Sequence, residues 1–312
     1  MRMRVVTLGV HVVDTLARPI ESIPEGQDGQ LVEEIRLTPA GTAGGTAVTL
    51  SKLGAEVRTA GAIGTDALGD VLVSMLQRAG VDTGLLVRRA EAQTSASVLP
   101  IRPDGSRPAW HVIGANATYN SRDAPWEAIA EAGYLHLGAP EFMGGEEAAK
   151  ILRHASAHGT VTSADLLAPG EQAAHIIDWI GPALPELDYL LPNAEQVLGL
   201  SGCSNLADGC RALLQRGVGC VAATDGARGA IVADASGVRR VPAFAVEVVD
   251  TTGCGDAFSA GFLRGLSLGV DAREAAALGC ATAAFVAGGL GSDHGMFTLR
   301  DAQELVASGT RV

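Results

Sequence analysis

Lysine is almost missing from this 312-residue chain: of 23 basic residues only Lys52 and Lys150 are lysines. Neither follows a glycine, which excludes a phosphate-binding loop of the Gly-Lys-Ser/Thr kind. Neither sits in a Val-Ala-Ile-Lys strand of the protein-kinase kind. If the chain handles nucleotide phosphates, it must grip them with backbone amides. Cysteine is scarce as well. Cys203, Cys210, Cys220, Cys254 and Cys280 form no C-x-x-C pair and no zinc spacing. Their odd number excludes a complete intrachain disulfide framework, and a reducing, cytoplasmic location fits. No segment reaches the roughly 18 apolar residues of a membrane span. The start, Met1 to Gly9, lacks the long apolar run and cleavage site of a secretory leader. Positive charge is in deficit, with a net charge of −12. That balance opposes general binding to nucleic acid or anionic membranes. An anionic ligand would need local backbone dipoles or arginines to overturn the global sign.

Apolar residues are plentiful at 47%, enough for a sizeable core without metals or disulfides. The 40 glycines follow no triplet, so collagen-like and low-complexity readings fall away. Strand-length apolar runs alternate with amphipathic stretches. Val5–Val10, Val57–Ile63, Tyr134–Gly138, Thr160–Asp165, Tyr189–Pro192, Cys220–Thr224, Ala230–Asp234 and Phe244–Val249 read as strands. Ala47–Leu53, Leu68–Ala79, Glu146–His158, Ala194–Leu200, Ala207–Arg216, Ala257–Leu268 and Ala272–Val286 read as helices. This alternation predicts an α/β fold with a mainly parallel sheet. Thr15–Leu37 and Thr94–Gly114 break it with strands and turns, Pro103-Asp104-Gly105 marking one turn. They are expected to pair into a small sheet, a lid inserted into the main domain.

Three segments carry the chemistry. In Phe244 to Phe258 a strand runs into Asp250-Thr251-Thr252-Gly253-Cys254-Gly255-Asp256, a Gly-rich turn that opens a helix. Successive amides and the helix dipole make an anion site there. Asp256 reads either as a helix N-cap or as the carboxylate that takes a proton from an attacking hydroxyl. Cys254 beside it is expected to have a lowered thiol pKa, or to be only a small residue. The glycines of Ala40 to Ala47 and Gly61 to Gly69 read either as turns or as a close backbone approach to substrate. Cys220 to Ala230 is a strand ending in a Gly turn, which reads either as a ligand site at a strand end of an open α/β sheet or as an ordinary hairpin. Two motifs are decoys. Gly265-Leu266-Ser267-Leu268-Gly269 ends a helix, and Gly217-Val218-Gly219 precedes a strand instead of following one.

Asp250 to Asp256 resembles the C-terminal D-T-x-G-A-G-D signature of the ribokinase-like (PfkB) carbohydrate kinases, with Cys254 in the alanine place. Gly44-Gly45 through Gly69 resembles the N-terminal signature. Leu8-Gly9 with Asp14, Gly114-Ala115-Asn116, Pro192-Asn193 and Thr224-Asp225-Gly226 match in the same order. The resemblance implies one αβα sandwich domain over residues 1–312 with a small β lid at about 15–37 and 94–114. It implies ATP- and Mg²⁺-dependent phosphorylation of a hydroxyl, with Asp256 as base and the amides of Gly253, Cys254 and Gly255 as anion hole. Asp14, Gly44, Gly45, Thr49 and Asn116 fall at substrate positions. Asn193, Thr224, Gly226, Gly229, Cys280, Ala284, Gly291 and Ser292 fall on the nucleotide side. Asp250 and Thr252 match positions that hold a monovalent cation such as K⁺ in some members, and a homodimer through the lid is implied. There are departures: N-x-x-E reads Asn193-Ala194-Glu195-Gln196, with Glu195 as a stand-in carboxylate. An Asn two residues before Asp14 is Val12, and G-G-K-G-A-N reads Gly44-Gly45-Thr46-Ala47-Val48-Thr49. A sugar acceptor leads. The alternatives are a nucleoside kinase, favoured by a more apolar pocket edge at Val12 and Val48, and a catalytically silent sugar or nucleotide sensor.

Overall fold

Val5, Val6, Thr7 and Leu8 alternate across a strand, and each face of that strand meets a different core. In a computed structural model describing residues 3–103 and 106–312, Val5 packs with Leu50, Leu72 and Phe258. Val6 and Leu8 pack with Ile129, Ile151 and Leu213 on the opposite face. A strand buried on both faces has no polar side to show, which is why it reads as a continuous apolar run.

The strands are β1 (Arg4–Gly9), β2 (Val12–Arg18), β3 (Glu34–Ala40), β4 (Glu56–Gly64), β5 (Asp82–Arg89), β6 (Ala96–Pro100) and β7 (Trp110–Val112). They continue as β8 (Tyr134–Gly138), β9 (Val161–Asp165), β10 (Tyr189–Leu190), β11 (Cys220–Thr224), β12 (Ala230–Asp234) and β13 (Gly237–Val241). The helices are α1 (Thr42–Lys52), α2 (Ala67–Arg78), α3 (Trp126–Glu131), α4 (Gly145–Ala157) and α5 (Gly170–Ile180). After them come α6 (Ala194–Ser201), α7 (Leu206–Gln215), α8 (Cys254–Ser267), α9 (Ala272–Ala287) and α10 (Leu299–Ser308).

Nine strands form the main sheet in the order β13-β12-β11-β10-β9-β8-β1-β4-β5. Strands β11 to β5 in that order are all parallel, and β12 is antiparallel to its neighbours. Helices α1, α2, α8, α9 and α10 cover one face, and α3 to α7 the other. The sheet is thus the middle layer of an αβα sandwich. From β1 the chain goes to β4 on one side and later to β8 on the other, so the winding reverses at β1. Beyond the C-terminal ends of strands at such a point a crevice opens.

The second sheet has the order β3-β2-β6-β7. Its register lines up Thr38, Asp14, Ser97 and His111 on one face. Leu37, Thr15, Val98 and Trp110 line up on the other. This is the expected lid; Asp104 and Gly105 of its expected turn lie outside the described residues. All five cysteines are free.

Two element assignments differ from the sequence reading. Phe244–Val249 is no strand: its only ladder contact is one bridge from Phe244 to Arg311. The Ala245 amide donates to Thr310 and that of Val249 to Ala287, so the segment is held by the chain's tail and the end of α9. Helix α1 begins at Thr42, five residues before the expected start, and takes Gly44 and Gly45 into its first turn. β5, β13, α3, α5 and α10 were not read from the sequence.

Candidate active site

Helix α8 opens with Gly253 at φ 76°, a left-handed conformation suited to glycine. A Cβ there would also overlap Ser292. Buried Asp250 braces the turn. Its Oδ1 accepts from the Thr252 amide at 2.9 Å and the Thr252 hydroxyl at 2.8 Å, and its Oδ2 accepts from the Gly291 amide at 2.9 Å. The monovalent cation expected at Asp250 and Thr252 would have to share that bonding. No side chain caps α8. Among the described residues the amides of Gly253, Gly255 and Asp256 meet no acceptor, whereas that of Cys254 donates to Thr251 at 3.2 Å. Of the three amides expected to form an anion hole, those of Gly253 and Gly255 are free and that of Cys254 is engaged, while the Asp256 amide beside them is free as well. Bare amides at a helix N-terminus attract anions.

The Asp256 carboxylate makes no capping bond, because the N-cap is Gly253. It lies against Gly45, where a Cβ would overlap it, and Thr46 Oγ1 donates to the Asp256 carbonyl at 3.4 Å. Burial raises its pKa well above the usual carboxylate range, the charges of Asp165 and Asp14 add to that, and Arg107 opposes them. A carboxylate in such surroundings holds a proton more readily than an exposed one. Arg107, absent from the sequence reading, reaches in from the lid hairpin with Nε 3.9 Å from Asp250.

Asp14 stands on β2 in the lid. It is buried, and burial lifts its pKa to about 6, against a Ser97 hydrogen bond and the Arg107 charge. Its row supplies further polar groups. Ser97 Oγ pairs with His111 Nδ1 at 2.8 Å, and buried Thr38 Oγ1 has no partner among the described residues. The period of two along β2, β3, β6 and β7 is the signal that would have found them.

Other expected acceptor contacts are spoken for. The Gly44 amide donates to the Val10 carbonyl between β1 and β2, and the Gly45 amide to the Gly41 carbonyl that precedes α1. Gly45 instead makes room for Asp256, where a Cβ would overlap the carboxylate. The Asn116 carboxamide accepts from the His11 amide at 3.1 Å and donates to the His11 carbonyl at 2.9 Å. Thr49 is wholly buried in α1, and Val12 and Val48, the expected apolar pocket edge, are buried among apolar neighbours. Gly61 also yields its space to His11, not to a substrate. His11 Nδ1 faces the Gly9 carbonyl at 2.9 Å, which requires the proton there, and Nε2 faces Thr59 Oγ1 at 2.7 Å. Burial lowers this ring to a pKa of about 4, despite the Gly9 bond, and keeps it neutral.

On the other side of α8 lies a cavity of about 510 Å³, within the size range of small-molecule sites. Thr224, Gly226, Gly229, Cys280 and Ala284, all assigned to the nucleotide side in the sequence reading, line it with Phe244, Val246, Cys254, Gly255 and Val312. Three expected residues are elsewhere. Asn193 caps α6 through the Gln196 amide, and Gly291 and Ser292 brace the α8 turn against Thr38 and Pro39. The Cys254 thiol is pushed up to about 12 by burial and by the charges of Asp250 and Asp256, so the expected lowering is overturned. Iodoacetamide at pH 7.5 should modify Cys254 roughly a hundredfold more slowly than glutathione, for lack of thiolate. Mass spectrometry of the Cys254 peptide over time measures this; modification as fast as glutathione would contradict the buried, charge-crowded thiol.

The sequence profile described as pfkB family carbohydrate kinase matches residues 5–298. The chain is similar to a nucleoside kinase of Methanothermobacter thermautotrophicus, with 26% identity over 271 residues, 86% of this chain and 84% of that protein. It is similar to a ribokinase of Staphylococcus aureus, with 25% identity over 282 residues, 87% of this chain and 88% of that protein. A candidate ribokinase II from E. coli, solved with ATP and Mg²⁺, superimposes with a TM-score of 0.83 at 22% identity, covering 98% of this chain and 99% of that one.

Proposed function

The chain belongs to the pfkB family of carbohydrate kinases, and we propose that it moves the γ-phosphoryl group of ATP to a hydroxyl of a small sugar-like acceptor. One observation carries this reading: the uncapped start of α8 puts free amides and the Asp256 carboxylate between the cavity and the Asp14 row. ATP in the cavity directs its phosphates at the amides of Gly253, Gly255 and Asp256. The acceptor lies under the lid, with Asp14 accepting from its hydroxyls. Asp256 takes the proton of the attacking hydroxyl, and the amides stabilise charge on the transferred group. Residues 1–312 act as one domain, whose lid excludes water and limits wasteful hydrolysis. Mg²⁺ would supply charge neutralisation for the transferred group. Gln196 cannot supply a carboxylate for the ion, and Glu195 is exposed on α6.

Similarity to a nucleoside kinase supports a second reading, in which the acceptor hydroxyl belongs to a nucleoside. ADP release from ATP with a panel of sugars and nucleosides separates the two. No acceptor-dependent release from any of them would favour the silent sensor.

The outer lid row supports a homodimer. Trp110 is 56% exposed, Val98 49% and Leu37 45%, side by side on one sheet face. Such an apolar strip is a site for burial against a second copy. Trp110→Glu should therefore shift the protein from dimer to monomer in light scattering. A monomeric wild type would exclude this.

A further inference from the structure

We propose that Lys52, at the end of α1, is a positioning residue for phosphoryl transfer: its ammonium holds the loop after α9 that fixes the free amides of α8. The loop's own backbone calls for it. The carbonyls of Asp293, His294 and Gly295 turn to one point, helped by Gly295 at φ 82°, a left-handed conformation suited to glycine. Lys52 Nζ stands at that point and donates to them at 2.6, 2.9 and 2.8 Å. Three carbonyl dipoles aimed at one point repel one another unless a cation meets them. An ammonium brings three protons and needs no donor in return, so this one group satisfies all three. The Phe297 ring adds to its hold, with Nζ over the face at 5.0 Å from the centroid.

Both ends of this tether lead to the start of α8. On the loop side, the Gly291 amide donates to Asp250 Oδ2, and Ser292 lies so close to Gly253 that a Cβ there would overlap it. The residues next to the Lys52 contacts therefore touch both the carboxylate that braces the turn and the N-cap of α8. The loop is fixed to the lid strand β3 as well, through Arg36 on Asp293 Oδ1 at 2.9 Å and Ser292 Oγ on the Pro39 carbonyl at 2.8 Å. On the helix side, the first turn of α1 sets Gly45 against Asp256, and its last residue is Lys52. The next carbonyl, that of Leu53, accepts from Arg264 Nε of α8 at 3.1 Å. Helix α1 is thus a strut joined to α8 near both ends, and the Lys52 ammonium joins the loop to the strut.

Amides that stabilise a transferred group act only if they are already in place when charge develops. A loop that drifts lets the α8 turn drift with it. The charge needed at Lys52 is present: burial pulls its pKa down to about 8, Asp293 opposes the shift and Arg36 adds to it, so the ammonium persists at neutral pH. The chain's other lysine, Lys150, is exposed on α4 and serves as the control.

The proposal rests on the phosphoryl-transfer reading, and one of its two readouts does not depend on that reading. Hydrogen exchange of the full chain, followed by mass spectrometry, reports on peptides covering residues 250–256 and 289–297. Lys52→Met keeps the apolar stem and removes the charge and its protons. It should speed exchange in both peptides by about tenfold, as local opening becomes easier, and leave peptides of β8 and β9 unchanged. With the acceptor that releases ADP, kcat should fall roughly ten- to a hundredfold, the scale of a misplacement of about 1 Å, while the acceptor KM stays within about twofold. Lys52→Gln still donates but carries no charge. It should move both readouts in the same direction by less, and it decides the matter if Lys52→Met fails to fold. Lys150→Met should match the wild type throughout. Unchanged exchange in 250–256, an unchanged kcat, or a loss that falls on the acceptor KM instead overturns the proposal. If exchange speeds up in Lys52→Met but the wild type releases ADP with no acceptor, the tether stands and the kinase reading falls.

Discussion

Asp256→Asn is expected to lower kcat by about 10²–10⁴-fold and to leave the KM for ATP within about twofold, the range of a lost general base. The amide is nearly the same shape and keeps the contact with Gly45. The free amides of α8 and the cavity walls are untouched, so ATP still binds. What disappears is the carboxylate that the proposal assigns to take the hydroxyl proton. Stability supplies the control. Asp256 is crowded by Asp165 and Asp14, so removing its charge relieves repulsion. The melting temperature should hold or rise as the rate collapses. A merely structural Asp256 would give the opposite pair: a near-normal kcat and a lower melting temperature.

Asp14→Asn is expected to raise the KM of the acceptor by about ten- to a hundredfold, from roughly 1.5–3 kcal/mol for a lost charged hydrogen bond. The KM for ATP should hold, because Asp14 lies on the lid side of Asp256, away from the cavity. The pH profile adds a second signature. Burial raises Asp14 to about 6, so it is protonated in the native state below that pH and charged above it. kcat/KM for the acceptor should rise with pH through about 6 and then level. In stability the sign is reversed. A carboxyl raised by folding holds its proton longer in the native state, so ionisation between the ordinary carboxylate range and about 6 destabilises the fold. Asp14→Asn should remove both the acid limb and that slope. If instead the KM for ATP rises and that of the acceptor holds, the two ligands have been put on the wrong sides of Asp256.

The sequence was most informative where function and local conformation coincide. Asp250 to Asp256 announces its turn through two glycines, and the structure adds only which amides stay free. β1, β8 and the lid strands were legible from apolar periodicity. Gly44 and Gly45 misled because glycine signals a turn locally, whereas here both lie in a helix, Gly45 for the room it gives Asp256. Phe244–Val249 has a strand's composition but no neighbouring strand to complete a ladder. Thr38, Ser97 and His111 joined the site through pairing register, which a single strand does not encode. Arg107 and Asp165 are ordinary charges until the fold brings the lid and the end of β9 beside Asp256. The Gln196 departure looked like a loss and became a tether only once its side-chain amide was seen to donate to the Leu166 and Ala168 carbonyls.

The most direct test is ³¹P NMR of ATP incubated with the protein and the acceptor that releases ADP. The account predicts a new phosphomonoester resonance growing in step with ADP, absent with Asp256→Asn. Growth of inorganic phosphate alone, or an unchanged phosphomonoester yield from Asp256→Asn, would contradict it.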